Sequence, residues 1–114
     1  MTSPITTHIL DTANGRPAAG VPVSLSRVSE SGEIQLGSGT TDGDGRVMSG
    51  LINEIDFEPG TYRIQFQTGA YFDEIGCQSF YPEVSITFIV NPGNPHYHVP
   101  LLISPFGYST YRGS

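Results

Sequence analysis

The chain has 114 residues, 37% of them hydrophobic, and a formal net charge of −6. That length predicts one domain built on one core, spanning residues 1–114. The acidic balance excludes the basic footprint that nucleic-acid binding demands, and no run reaches the roughly twenty apolar residues of a membrane-spanning helix.

Short strands separated by turns are predicted almost throughout, in keeping with 14 glycines and 9 prolines. Ile5, Thr7 and Ile9 alternate with Thr6, His8 and Leu10 in a first strand. Asn14-Gly15-Arg16-Pro17 reads as a turn, followed by a strand in which Val21, Val23 and Leu25 share a face. Glu33–Leu36 is extended, and Asp42-Gly43-Asp44-Gly45-Arg46 turns the chain into Val47-Met48. Pro59-Gly60 opens a strand with Tyr62, Ile64 and Phe66 on one side. One short helix is predicted over Ala70–Gly76. Val84–Val90 is the next strand, Asn91–Pro95 a turn, and His96–Ile103 and Tyr108–Arg112 are the last two strands. Seven or eight short strands at this spacing predict an all-β sandwich.

Period-2 alternation then sorts side chains into faces. His8 is expected to point away from the core with Thr6 and Leu10. In the penultimate strand Tyr97, Val99, Leu101 and Ile103 form one face, and His96, His98, Pro100 and Leu102 the other. Tyr111 is expected on one face of the last strand, with Arg112 on the opposite one. The apolar character of Pro100 and Leu102 calls for cover, most economically by a partner subunit. His8 and His98 are thereby placed on one sheet face, with Arg46 at a loop-to-strand junction within reach. The alternative is two surface histidines and a turn arginine.

Other chemistries are narrower. All five cationic side chains are arginines, at 16, 27, 46, 63 and 112, and the lack of lysine excludes Schiff-base mechanisms. Cys77 is the single cysteine, so no intramolecular disulfide is expected, which agrees with a reducing compartment. It reads as a packing residue, not a nucleophile. The first residues carry neither a basic region nor an apolar core of a secretory signal, and no Ser-Lys-Leu address closes the chain, so the cytoplasm is the expected location. His8, His96 and His98 have the strand spacing of a three-histidine zinc site, but no carboxylate stands near to support the ligands, and no metal is expected. Asp42–Arg46 starts like a calcium loop, yet the fifth position is Arg46 and the twelfth Asn53, so a turn is expected. Neither a nucleophile elbow nor a phosphate-cradling loop is present.

His8-Ile9-Leu10-Asp11, Gly15-Arg16-Pro17-Ala18 and Val21-Pro22-Val23 resemble the amino-terminal signature of the transthyretin-like family. Thr41-Asp42, Asp44-Gly45-Arg46, Gly60-Thr61-Tyr62-Arg63, Tyr71-Phe72 and Ser79–Val84 continue the resemblance. His96–Leu102 with Tyr111-Arg112-Gly113-Ser114 is similar to the 5-hydroxyisourate hydrolase branch. The resemblance implies a prealbumin-like sandwich of two four-stranded sheets with one short helix. It also implies a homotetramer, a dimer of dimers, with active sites in a central channel. The implied reaction is hydrolysis of a purine-derived small molecule, 5-hydroxyisourate, to 2-oxo-4-hydroxy-4-carboxy-5-ureidoimidazoline, without a cofactor.

That reaction adds water to a ring carbonyl and opens a lactam. His8 and His98 are the expected pair that activates water and shuttles its proton, since an imidazole with a pKa of about 6.5 serves as base or acid near neutrality. Arg46 offers a planar fork of donors to an oxygen-rich ring. Tyr111 is expected to stack on the substrate. Ser114, through its hydroxyl and terminal carboxylate, is expected to orient water or a histidine, while Arg112 pins the tail. Two other readings are a non-catalytic β-sandwich binding module, suggested by the Asp-Gly-Arg and Pro-Gly-Thr-Tyr pattern, and a transthyretin-type carrier. Tyr111 speaks against the carrier, because it would narrow the channel.

Overall fold

A computed structural model describes residues 3–48, 50–53 and 55–113. The strands are β1 (Ile5–Asp11), β2 (Arg16–Pro17), β3 (Pro22–Ser29), β4 (Gly32–Thr40), β5 (Gly60–Phe66), β6 (Val84–Val90), β7 (Tyr97–Ser104) and β8 (Gly107–Thr110), with one helix, α1 (Thr68–Glu74). They form two four-stranded sheets, ordered β2-β1-β7-β8 and β4-β3-β5-β6, as the resemblance implies.

The sandwich follows from the alternation. Ile5 and Ile9 of β1 and Leu101 and Ile103 of β7 face Val23 and Leu25 of β3 and Tyr62, Ile64 and Phe66 of β5, all of them buried. Burial of one such side chain contributes about 1.5–3 kcal/mol, so each strand is held by its inward face while the other face stays available. Tyr71 and Phe72 of α1 are also buried. Cys77 packs half-buried beside this core, consistent with a packing role.

Three local expectations change. Arg16 and Pro17 are not part of a turn but a two-residue strand opposite Asp11 and Leu10. The cause is Asp11, whose Oδ1 accepts the N–H groups of Ala13 and Asn14 and closes the turn earlier, over residues 12–15. The helix begins two residues ahead of its predicted start, at Thr68. The last strand ends at Thr110 instead of Arg112, and pairing resumes only at a single bridge between Gly113 and His98. The register that pairs Leu101 with Thr110 and His98 with Gly113 sets Tyr111 opposite Pro100. Proline has no N–H to donate, so the ladder is interrupted there, and the Pro100 carbonyl takes the Thr110 hydroxyl at 2.7 Å.

Candidate active site

The parallel pairing of β1 with β7 brings the two histidines together from opposite ends of the chain. It sets Thr6 opposite His98, His8 opposite Pro100 and Leu10 opposite Leu102. The even-numbered residues of both strands therefore share the face turned away from the core, as the alternation predicts. His8 and His98 are half-buried on it.

Arg46 joins them from the other side of β1 through a single antiparallel bridge to His8. The bridge rests on the Ile9 N–H donating to the Gly45 carbonyl at 2.9 Å. Val47-Met48, expected to open a strand, does not extend this pairing. The turn that presents Arg46 is organised by Asp42. Its Oδ1 accepts the N–H groups of Asp44 at 2.9 Å and Arg46 at 3.1 Å, and its own N–H donates to the Arg46 carbonyl at 2.8 Å. That carboxylate oxygen organises the turn expected over Asp42–Arg46. Gly45 has φ +77°, and a Cβ there would lie 2.4 Å from the Ile9 carbonyl oxygen; the close approach of this turn to β1 needs glycine.

The resulting arrangement has two adjacent rows. One row runs Arg46, His8, Pro100 and Tyr111; the neighbouring row runs Thr6, His98 and Gly113. Tyr111 is 60% exposed. The guanidinium carbon of Arg112 lies 4.6 Å from the centre of the Tyr97 ring, on the inner side of β7. This cation–π contact puts Arg112 on the core side and anchors the tail, and Tyr111 lines one cavity with Arg112, Tyr97, His98 and Val99. Ser114, an expected site residue, lies outside the described residues.

His98 is held below the ordinary histidine pKa of 6.5, first by burial, then by the charges of Arg46, His8 and His96, with a hydrogen bond to the Thr6 backbone opposing the shift. Its ring is thus kept neutral near pH 7, with a nitrogen able to accept a proton. Thr6, which the sequence reading did not single out, presents its Oγ to His98 Nδ1 at 2.8 Å and to His96 Nε2 at 3.2 Å. Asp42 and Gly113 were also missed as determinants of the site. Nothing local marks Thr6 or Gly113, because both act on a strand distant in sequence. The side chains of His96 and His98 converge on a hydroxyl, and among the described residues no three His, Cys, Asp or Glu side chains form a group able to hold a metal ion.

This face combines a neutral imidazole, a second imidazole and a guanidinium. Such a set can take a proton from water and stabilise a developing oxyanion.

Comparison with known proteins shows what the whole chain is similar to. The model of the HIUase/transthyretin family matches residues 5–113. A 5-hydroxyisourate hydrolase of Salmonella dublin is 47% identical over 110 residues, covering 96% of this chain and 80% of that protein. The structure of Klebsiella pneumoniae 5-hydroxyisourate hydrolase superposes with a TM-score of 0.82 at 39% identity, over 98% of this chain and 94% of the other. Sea bream transthyretin in complex with thyroxine superposes with a TM-score of 0.90 at 36% identity, over 96% and 94%.

Proposed function

The chain belongs to the HIUase/transthyretin family, and from that premise we propose how its residues perform the chemistry of the hydrolase branch. Its activity is the hydrolysis of 5-hydroxyisourate, an enzymatic step of urate degradation.

His98 is the general base. The observation that carries this assignment is its ring, held neutral beside Arg46 and His8 on one open face. It draws a proton from water as the oxygen attacks the ring carbonyl. Arg46 stabilises the oxyanion that forms and orients the planar ring, and His8 binds the substrate and assists proton transfer. Tyr111 covers the ring from the tail, and Ser114 is proposed to orient the water. The collapse of the tetrahedral species breaks the lactam C–N bond, the nitrogen takes a proton, and the product is 2-oxo-4-hydroxy-4-carboxy-5-ureidoimidazoline. Acid–base groups and donors suffice for this sequence, so no cofactor is invoked.

A homotetramer is part of the same proposal, with the face bearing His8, His98 and Tyr111 turned into a channel between dimers. Its support is the half-buried pair Leu10 and Leu102 on that face. A cytoplasmic setting suits the free thiol of Cys77. Among the described residues no helix is long and apolar enough to cross a membrane.

The test is steady-state hydrolysis of enzymatically generated 5-hydroxyisourate, followed by ultraviolet absorbance against the spontaneous decay. The wild-type chain is expected to exceed that decay by orders of magnitude. His98→Asn is expected to lose about 10²-fold or more in kcat, and a fully active His98→Asn variant overturns the assignment of the base.

A further inference from the structure

The Thr6 hydroxyl stands between two imidazoles, His98 Nδ1 at 2.8 Å and His96 Nε2 at 3.2 Å. A hydroxyl has one hydrogen. It also has two lone pairs, so at most one ring accepts from it, and a chain through it is complete when one ring donates to the oxygen and the other accepts its hydrogen. His98 is half-buried on the site face, whereas His96 is exposed. The three groups therefore form a line from the site to solvent, set by the β1–β7 register that places Thr6 opposite His98.

We propose that Thr6 and His96 are positioning residues that act through His98 as a reversible proton relay for the hydrolysis. The proposal rests on the reading of His98 as the base. At rest, His98 Nδ1–H donates to Thr6 Oγ and the Thr6 O–H donates to His96 Nε2, so His96 keeps its own proton on Nδ1. This arrangement leaves the lone pair of His98 Nε2 free to meet water. When water attacks, its O–H bond breaks and a proton binds Nε2, while the oxygen bonds to the ring carbonyl carbon. The Nδ1 proton then moves to Thr6 Oγ as the Thr6 proton moves to His96 Nε2, and the hydroxyl again holds one hydrogen. His98 is left neutral with its proton on Nε2, and the positive charge resides on His96. When the departing ring nitrogen takes the Nε2 proton, both transfers reverse and the resting state returns. No electrons are exchanged and no external partner is required.

The physical advantage is the location of the charge. An imidazolium at His98 is penalised by burial and faces Arg46 and His8 as well as His96. Moving the proton to an exposed ring gives the charge to water and takes it away from the guanidinium.

The experiment compares Thr6→Val, Thr6→Ser, His96→Asn and His98→Asn, with thermal melts to verify folding, and reads the His98 tautomer of the wild type by ¹⁵N NMR. Thr6→Val is expected to lower kcat by about ten- to a hundredfold with KM little changed, and Thr6→Ser to recover most of that loss. His96→Asn is expected to lower kcat less, with partial rescue by added imidazole. The wild-type His98 is expected as the Nδ1–H tautomer. A wild-type kcat and pH profile in Thr6→Val, equal impairment of the Ser and Val variants, or an Nε2–H tautomer at rest would each overturn the relay. If His98→Asn is inactive while Thr6→Val is normal, the relay fails and the base assignment stands. An active His98→Asn removes both.

Discussion

The backbone of Gly113 lies directly against the imidazole of His98: a Cβ on Gly113 would come within 2.6 Å of His98 Cδ2. The same glycine donates its N–H to the His98 carbonyl at 2.8 Å. The tail is thus paired to the strand that carries the proposed base, and its third residue has to be small for the ring to keep its place.

Gly113→Ala is accordingly expected to displace either the ring or the tail. A misplacement of about 1 Å costs on the order of 10²-fold in rate, while stability should change by less than about 1 kcal/mol, because Gly113 lies outside the core. Paired measurements of kcat/KM and thermal unfolding check this. A variant with full activity would mean that the ring position does not depend on the tail.

The acid limb of the pH–rate profile is expected below 6.5. His98 is depressed from that value by burial and then by Arg46, His8 and His96, so its neutral form persists to lower pH than in a free histidine, and kcat/KM reports groups of the free enzyme. Stability has the same sign. The native state binds fewer protons than the unfolded chain between the two pKa values, so the His98 contribution is complete above 6.5 and is lost as pH falls through the folded value. A kcat/KM profile whose acid limb lies at or above 6.5 contradicts this assignment.

Tyr71→Phe is expected to destabilise the fold by about 1–3 kcal/mol with kcat/KM close to wild type. The Tyr71 hydroxyl donates to Oδ2 of Asp11 at 2.6 Å, and Asp11 is 1% exposed. Burial alone raises the Asp11 pKa, but hydrogen bonds from Tyr71, the Asn14 side chain and the N–H groups of Asn14 and Ala13 outweigh it and lower the pKa below 3.8. Urea denaturation checks the cost. The gap between wild type and variant should persist above pH 3.8 and narrow as pH falls below it.

Leu102→Glu tests the assembly. Leu102 shares the face of His8 and lies opposite Leu10. A carboxylate buried unpaired in an interface costs several kcal/mol. Sedimentation is expected to shift from the proposed tetramer toward smaller species, with loss of most activity. An unchanged tetramer would remove this face from the proposed interface.

Much of this protein is legible along the chain. Alternation of period 2 placed Ile5, Ile9, Leu101 and Ile103 inside and His8 and His98 outside, because a pleated strand alternates its side chains whatever it pairs with. The Asp42–Arg46 turn and the inward face of Arg112 follow from equally local rules. What tertiary structure decided is adjacency. That β1 pairs in parallel with β7, so that Thr6 meets both His96 and His98, depends on both sheets burying their inner faces at once, and no short window of sequence contains that condition. The early end of β8 has the same origin. Pro100 interrupts the ladder only because the register sets it opposite Tyr111, and the need for glycine at 113 exists only because His98 is its neighbour in space.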